Sequence, residues 1–341
     1  MPGGLRARAL AVGFIRSARI VQIHPTRRCN LRCLHCYSDS SPEASDELPA
    51  ELVARVLGEA ATLGYGVASV SGGEPFMYQP LPRLLAAAKA AGMRTQLVSN
   101  GLAITPSRLK AVTGLLDLLA VSIDGAPDDH DRMRAQAGAF RRLGDRLALV
   151  RDSGIPLGLV FTLTMWNVHQ IEWAAEFALA SGAGLLQIHP LEASGRAIGL
   201  ADDVPDEIEA SAALVECLRL QRAVGCRLTI QVDVATSGGL RQIMACADQH
   251  TPPRISDIVS PLVIEPDGMC VPLEYGFPRD YALGNVREAS LHDLAASWME
   301  RVLPSFASGM ARMDARLAEM GDGVVVNSYA LAREVLVGAA H

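Results

Sequence analysis

Three cysteines within eight residues constrain this chain more than any other feature of its sequence. Cys29, Cys33 and Cys36 follow a C-x3-C-x2-C spacing directly after the short apolar run 20–23. Thiolates are soft ligands that suit iron–sulfur clusters and zinc. A [4Fe-4S] cluster normally takes four cysteines, so three would leave one iron open to a small molecule. The spacing therefore predicts a metal-binding loop and favours an iron–sulfur cluster.

Two alternatives to a cluster follow from the same residues. A structural zinc site takes four protein ligands, usually from two separated pairs. Here the fourth ligand would have to be His24 or His35, because no second C-x2-C pair occurs downstream. The other alternative is a cysteine-rich surface loop without metal. Spacing alone leaves both open.

Composition and charge narrow the class of protein. A length of 341 residues suggests one large domain with an appendage. Seven cysteines, an odd number with three in one loop, favour a reducing cytoplasm over a secreted disulfide framework. A net charge of −6 without a basic cluster argues against a nucleic-acid partner. Every long apolar run is broken by glycine or charge, so we expect no membrane span.

Strand-like and helix-like segments alternate along the chain, which predicts a parallel sheet with helical crossovers. The six expected strands are 20–24, 67–71, 95–99, 118–123, 157–163 and 185–189. Apolar residues at helical spacing predict helices over 49–63, 81–91, 140–153 and 171–181. This pattern predicts an α/β fold, an open or partial (β/α)6 barrel of the TIM type. In such barrels functional groups collect at the carboxyl ends of the strands.

The second predicted strand ends in the tetrapeptide Gly72-Gly73-Glu74-Pro75. Two glycines let the backbone approach a ligand closely and adopt positive φ, and proline fixes the exit from the turn. A plain strand-to-helix turn would have the same composition. The tetrapeptide therefore indicates a ligand site only in company with other motifs.

The cysteine loop with the aromatic Tyr37 behind it, followed by Gly72-Gly73-Glu74-Pro75, resembles the signature of the radical S-adenosylmethionine (SAM) enzymes. The resemblance covers roughly residues 18–200. It implies that Cys29, Cys33 and Cys36 hold a [4Fe-4S] cluster whose open iron binds SAM. The residues that it implies for SAM binding are Tyr37, Gly72, Gly73, Glu74, Pro75, Ser99, Asn100, Ser122, Asp124 and Arg134.

Particular contacts follow from the same resemblance. Glu74 and the glycine backbone would meet SAM's amino group, and Ser122 and Arg134 would meet its carboxylate, which suits a hydroxyl and a guanidinium fork. The alternative for Arg134 is a solvated helix charge. Ser99 and Asn100 would reach polar groups of SAM, although the same residues are common in ordinary turns.

The resemblance also implies an activity. Reductive cleavage of SAM would give methionine and a 5′-deoxyadenosyl radical that removes a hydrogen atom from a substrate carbon. The protein would supply binding, orientation and exclusion of water. The electron would come from an external one-electron reductant of the flavodoxin or ferredoxin type.

The C-terminal third resembles the auxiliary-cluster domain called SPASM or, when shortened, twitch. The likeness lies in 261–268, 283–286 and the helix-like 290–300. Leu273 stands where that domain is expected to place a ligand, and no cysteine follows Cys270. Cys246 and Cys270 are the candidate ligands of a second cluster. We expect instead a metal-free remnant that closes the open side of the barrel over the substrate.

The predicted organisation has five parts. They are an N-terminal segment 1–18, a radical SAM partial barrel 19–200, a helical connection 201–258, a SPASM- or twitch-like remnant 259–303 and a helical tail 304–341. The tail is expected to serve packing or a partner surface.

Candidate substrate contacts lie after the sixth strand and in the hairpin loop. They are Gln187, His189, Glu192, Tyr275 and Arg279. His189 and Tyr275 are the candidate catalytic residues, and Cys270 or Tyr275 is the candidate radical quencher. For His189 the alternative is a strand-end histidine that is hydrogen-bonded to its neighbours.

Three function hypotheses remain after the motifs are placed. The first is natural-product biosynthesis on a ribosomally made peptide (RiPP); about 19 residues precede the first strand, so a separate recognition protein would have to bind the leader peptide. The second is dehydrogenation, decarboxylation or epimerisation of a small molecule. The third is a non-enzymatic iron–sulfur sensor, which the SAM-binding motifs at three further strand ends argue against.

Overall fold

A parallel sheet forms the body of the protein in the computed structural model, which describes residues 19–246 and 253–337. Its first seven strands lie in chain order and each pairs in parallel with the next. They are β1 (Ile20–Ile23), β2 (Val67–Val70), β3 (Arg94–Ser99), β4 (Leu118–Ile123), β5 (Leu157–Leu163), β6 (Leu185–Pro190) and β7 (Thr229–Val232). The predicted partial barrel is confirmed, and the six predicted strands end within one residue of the observed ones.

Helices follow most of these strands, and several of them have capping residues at their ends. The helices are α1 (Ala50–Thr62), α2 (Leu81–Ala90), α3 (Pro106–Val112), α4 (Pro127–Met133), α5 (Ala139–Ser153), α6 (Ile171–Ser181), α7 (Glu207–Val224), α8 (Ser237–Cys246), α9 (Ile255–Ile258), α10 (Leu291–Arg301), α11 (Leu303–Met320) and α12 (Ser328–Val337). The carboxylate of Asp206 caps α7 by accepting from the backbone of Ile208. Gly154 and Gly182 end α5 and α6 with left-handed φ angles.

The two faces of the sheet differ sharply in chemistry. One face is fully buried and apolar, with Ile23, Leu97 and Phe161 in the main hydrophobic core that includes the helices. The opposite, inner face is polar and only half-buried; its residues include Gln22, Ser69, Gln96, Ser122, Gln187 and Gln231. Because side chains alternate along a strand, this pattern leaves polar side chains facing the interior of the partial barrel.

Strand β7 lies within 201–258, which was predicted as a helical connection. It pairs with β6, Gln187 opposite Gln231, so the parallel sheet continues past residue 200. Its alternating sequence, Thr229 to Val232, is typical of a strand with one polar face. A run of only four residues after an 18-residue helix gives a weak signal on its own.

Three C-terminal strands extend the sheet at the edge opposite β7: β9 (Leu262–Ile264), β10 (Met269–Pro272) and β11 (Gly284–Asn285). Strands β8 (Ala235–Thr236) and β12 (Val325–Val326) form a separate two-stranded sheet. The predicted hairpin is present as β9 and β10, and β9 pairs in parallel with β1. Within the predicted helical tail, β12 pairs with β8. The division into five parts stays a prediction.

The C-terminal segments are fixed to the barrel by buried hydrogen bonds. The hydroxyl of Tyr65, which precedes β2, donates to the Val259 carbonyl at 2.9 Å, and the Ser256 hydroxyl donates to the Leu63 carbonyl at 2.9 Å. Tyr65 is only 2% exposed.

In the described ranges 19–246 and 253–337, no helix has the length and apolar character needed to cross a bilayer.

Replacing Tyr65 by Phe tests this attachment. The change leaves the Val259 carbonyl buried without its donor, so we expect the free energy of unfolding to fall by about 1 kcal/mol. Urea unfolding followed by circular dichroism measures it, and the exposed Ser107→Ala serves as control with a change of less than about 0.5 kcal/mol. Equal stability of Tyr65→Phe and wild type would contradict the assignment.

Candidate active site

The cysteine loop leaves the carboxyl end of β1 and folds inward. Cys29 and Cys33 are buried, and burial raises the pKa of Cys29 to about 12. Side-chain donors from distant strands approach both sulfurs: Asn100 Nδ2 lies 3.6 Å from Cys29 Sγ, and Arg134 Nη1 lies 3.8 Å from Cys33 Sγ. Such donors stabilise negative charge on sulfur, as thiolate ligands of a cluster require.

The sulfur of Cys36 has its hydrogen-bond donors within the cysteine loop. The backbone N–H of Ser40 donates to Cys36 Sγ at 3.3 Å, and the Ser38 hydroxyl lies 3.5 Å from it. Within the described residues, no group of three or more His, Cys, Asp or Glu is arranged to hold a single metal ion. In a [4Fe-4S] cluster each cysteine binds a different iron, so its ligands do not converge on one point. The donor set of three thiols fits such a cluster.

The glycine tetrapeptide packs directly on the cysteine loop. The backbone N–H of Gly73 donates to the Thr26 carbonyl at 2.8 Å, and that of Glu74 donates to the Arg28 carbonyl at 2.9 Å. A Cβ on Gly73 would lie 2.3 Å from the Arg28 carbonyl oxygen, which no side chain tolerates. Close approach of two backbones therefore explains this glycine.

The Glu74 side chain turns into the protein and joins two strand ends. It is fully buried, and burial raises its pKa. Its carboxylate accepts from the backbone of Phe76 at 3.1 Å, the Ser99 hydroxyl at 2.9 Å and the backbone of Asn100 at 2.9 Å. The contact of Glu74 with SAM's amino group stays a prediction. In the structure, the carboxylate connects the turn after β2 to the end of β3.

Asp124 and Arg134 form a buried pair beside the cysteine loop. Arg134 Nε and Nη2 lie 2.6 and 3.1 Å from the two Asp124 oxygens. Burial opposes ionisation of Asp124, but the Arg134 charge and His35 outweigh it, so the pKa of this carboxyl lies far below its usual range. The side chain of Arg134 is 7% exposed, so it is not a solvated helix charge. Ser122 lies half-buried on the inner face of β4.

Arg196, after β6, clamps the cysteine loop. Its Nε donates to the Cys33 carbonyl at 3.0 Å, its Nη2 donates to the Ser40 carbonyl at 2.6 Å, and its backbone N–H donates to the Cys36 carbonyl at 3.0 Å. A Cβ on the preceding Gly195 would lie 2.5 Å from that Cys36 oxygen. Nothing local in the sequence shows that Gly195 and Arg196 reach residues 33–40, so this contact had no sequence signal.

His189 lies at the carboxyl end of β6 between two carboxylates. Its Nδ1 is 2.8 Å from Asp233 Oδ2 and its Nε2 is 3.2 Å from Glu192 Oε1. Burial lowers the pKa of His189, but these hydrogen bonds outweigh it and raise the pKa well above 6.5. Gln187 donates to Asp233 at 2.7 Å. Two predicted substrate contacts, Gln187 and His189, therefore share Asp233, a residue that sequence reasoning missed, and the third, Glu192, contacts His189.

The loop after β10 reaches over this mouth of the barrel. Tyr275 stacks on His24 with ring centroids 5.0 Å apart and meets the edge of Tyr37 at 5.6 Å. Glu274 forms an ion pair with Arg333 of α12. Burial and the Glu192 charge raise the pKa of Glu274 to about 7. Neither Glu274 nor Arg333 had a sequence signal, because their partners lie far away in the chain.

Two further predicted residues have partners of their own. Arg279 forms an ion pair with Glu265, and its contact with substrate stays a prediction. Cys270 is fully buried in the apolar core, 3.8 Å from the Gly268 carbonyl. The side chain of Cys246 lies outside the described residues, so a second cluster and a quencher role for Cys270 stay predictions.

The fold and the site define a partial barrel with a thiol-rich loop at the carboxyl end of its first strand. Residues 23–178 match the model of the radical SAM superfamily. This part of the chain is therefore a radical SAM domain, as its motifs predicted.

Individual relatives agree on this part of the chain. It is 36% identical over 154 residues to the Fe-coproporphyrin III synthase of Methanosarcina barkeri, and 36% identical over 169 residues to the PqqA peptide cyclase of Ruegeria pomeroyi. These alignments cover 45% and 48% of this chain but only 39% and 44% of the relatives. The chain thus matches less than half the length of either relative.

A solved structure supports the fold over a longer stretch. SuiB of Streptococcus suis, solved with bound S-adenosylmethionine, superposes with a TM-score of 0.64 at 15% identity. The superposition covers 81% of this chain and 65% of SuiB. At this identity the likeness shows the architecture, and it extends beyond the six predicted strands.

Removing Asp124 alone tests the buried pair. In Asp124→Ala the Arg134 guanidinium loses its counter-charge inside the protein, and we expect the free energy of unfolding to fall by about 3–5 kcal/mol. The double variant Asp124→Leu/Arg134→Met removes both charges and should be far closer to wild type. Urea unfolding measures both, and a single variant as stable as the double variant would contradict the pairing.

Removing the Arg196 clamp should loosen the cysteine loop. In metal-free Arg196→Ala we expect the three loop thiols to react with N-ethylmaleimide about tenfold faster, because the lost hydrogen bonds held the loop closed. Mass spectrometry of the labelled peptides gives each rate, with the exposed Cys226 as internal control. Unchanged labelling of Cys29 and Cys33 would show that the clamp is dispensable.

Proposed function

We propose that this protein is a radical SAM enzyme of natural-product biosynthesis. In this proposal a [4Fe-4S] cluster on Cys29, Cys33 and Cys36 binds SAM at its open iron. When bound, the cluster and SAM supply a 5′-deoxyadenosyl radical that removes a hydrogen atom from a substrate carbon. The alignments cover less than half of the relatives' length. The proposed activity is therefore argued from the residues of the site and not from the relatives' activities.

One observation carries the proposal: three segments that follow β2, β3 and β4 in the chain meet around the same cysteine loop. Asn100 and Arg134 each donate to a different cysteine, and the Gly73 turn packs on the start of the loop. A mere cysteine-rich surface loop would not bury two of its thiols among donors from β3 and α4.

The chain's own residues then have distinct tasks. Glu74 holds the ends of β2 and β3 together, and the backbone of Gly72 and Gly73 offers a close approach for SAM's amino group. Ser122 on the inner face is the candidate for SAM's carboxylate. Arg134 has its Asp124 partner already, so its remaining nitrogen Nη1 serves the Cys33 sulfur.

The substrate enters at the barrel mouth, where His189 and Tyr275 are the candidate catalytic residues. Relatives include a peptide cyclase and an Fe-coproporphyrin III synthase, so a peptide and a small molecule both fit the proposal. An external reductant of the flavodoxin or ferredoxin type would supply the electron, and the proposal includes a separate protein that recognises a peptide substrate. A cytoplasmic location, inferred from cysteine usage, belongs to the same proposal.

Iron and sulfide content after anaerobic reconstitution tests the cluster. We expect about four irons per chain in the wild type and in Cys217→Ala, and none in the Cys29/Cys33/Cys36 triple Ala variant, because only the loop thiols hold the cluster. With dithionite, wild type and Cys217→Ala should convert SAM to 5′-deoxyadenosine, and the triple variant should not.

Two outcomes would change this assignment. About eight irons in the wild type, with about four left in the triple variant, would reveal a second cluster and make Cys246 and Cys270 its candidate ligands. A full cluster that leaves SAM intact under reduction would favour a non-enzymatic iron–sulfur sensor.

A further inference from the structure

Helix α7 exposes apolar side chains along its outer face. Ile208, Val215 and Leu218 are 74%, 66% and 37% exposed. They are three of the seven large hydrophobic side chains exposed in the described part of the chain, so exposed apolar surface is concentrated on this one helix. Single exposed apolar side chains are common, whereas a contiguous patch marks an interaction surface.

The spacing of these residues places them on one stripe of the helix, which we call the α7 seam. It consists of Ile208, Ser211, Val215, Leu218 and Arg222, at intervals of three, four, three and four residues. This is the a and d spacing by which one helix packs against another. The opposite face of α7 is buried in the main core. The helix is therefore fixed to the barrel on one side and presents a second packing face on the other.

A shallow groove of about 530 Å³ runs beside the C-terminal half of the α7 seam. Its lining consists of Val215, Leu218, Arg219, Arg222 and Ala223. Ile208, the most exposed apolar residue of the helix, lies about 17 Å away along the axis, because a helix rises about 1.5 Å per residue. The same helix thus carries an apolar projection and a groove that its own Ile208 cannot reach.

Charges along α7 and its flanks are separated by sign. Residues 202–216 include six acidic side chains and no lysine or arginine, whereas residues 217–227 include three arginines and no acidic side chain. Arg219 pairs with Glu172 and Glu216, but neither Glu207 nor Arg222 forms an ion pair among the described residues. An antiparallel helix of the same sequence would bring opposite charges together at both ends, and a parallel one would bring like charges together.

We propose that α7 pairs with α7 of a second copy of this chain, antiparallel and about a two-fold axis. Ile208 of each copy packs into the groove of the other, and Val215 lies next to the axis. Arg222 of each copy faces the acidic start of the other helix, near Asp206 and Glu207. Each contact occurs twice, as a two-fold interface requires.

The size and direction of this contact set its strength and its consequence. One helix pair buries less than the roughly 800 Å² per partner of a standard interface, so we expect a dissociation constant in the micromolar range. Helix α7 follows β6 and begins at the barrel mouth. Antiparallel pairing therefore points the two barrel mouths in opposite directions.

Sedimentation velocity of the full-length chain at about 1–100 µM tests the pairing. We expect the wild type to dimerise with rising concentration, and Val215→Glu to dimerise about tenfold more weakly or worse, because it places two carboxylates next to the axis. Val337→Glu, the same change at an exposed position of α12, is the matched control and should dimerise as the wild type does. A wild type that stays monomeric, as it would if a different protein or another segment of this chain covered α7, would overturn the inference.

Exchange of charges tests the orientation of the pair. Arg222→Glu and Glu207→Arg should each weaken dimerisation about tenfold, because each change brings like charges together at both ends of the interface. The double variant Glu207→Arg/Arg222→Glu restores opposite charges and should dimerise within about threefold of the wild type. A double variant that dimerises no more tightly than the single variants would contradict the antiparallel arrangement.

Disulfide formation gives a readout that does not depend on weakened variants. With the exposed Cys226 replaced by alanine, Val215→Cys should form a disulfide between two copies under mild oxidation. Ile208→Cys should not, because antiparallel pairing separates the two copies of this residue by about 17 Å along the axis. Peptide mapping by mass spectrometry identifies the linked residues. A disulfide between two copies of Ile208→Cys, or none at Val215→Cys, would overturn the inference.

Discussion

The buried carboxylate of Glu74 is the interaction on which the geometry of the cofactor end depends. A carboxylate without solvent is costly unless donors replace the lost water. Here the donors come from the turn after β2 and the end of β3, so the carboxylate is stable only when both strand ends are in place. Asn100, held in this way, turns its amide toward Cys29. The position of the Cys29 thiol thus depends on the hydrogen bonds of a carboxyl group that follows the neighbouring strand.

The two ends of the site use charge in opposite ways. Near the thiols, Asp124 and Arg134 neutralise each other out of water, which fixes a geometry and leaves no spare charge for a ligand. At the mouth, His189 lies between Glu192 and Asp233, and Glu274 pairs with Arg333; the side chains of His189, Glu192 and Arg333 are partly exposed. The buried pair fixes a geometry, whereas these partly exposed groups remain in contact with solvent.

The sequence predicted those parts that depend on local pattern. Strands β1 to β6 were found because their alternation is regular, and the motif residues were placed together because the carboxyl ends of parallel strands share one edge. The charged residues at the mouth were only half predicted. His189 ends a recognised strand and Glu192 follows it, whereas Asp233 follows the short β7, and Arg333 lies 59 residues from Glu274. No local pattern reports a contact between a C-terminal helix and a hairpin loop.

The pairing of β9 with β1 also sets an order of events in time. Strand β1, which leads into the cysteine loop, gains β2 early, but its other edge is covered only by Leu262–Ile264. At a synthesis rate of about 5–20 residues per second, that edge stays bare for on the order of 10–50 s after β1 is made. During this interval the cysteine loop of the nascent chain lies next to an unpaired edge of β1, because the β9–β10 hairpin has not yet been synthesised.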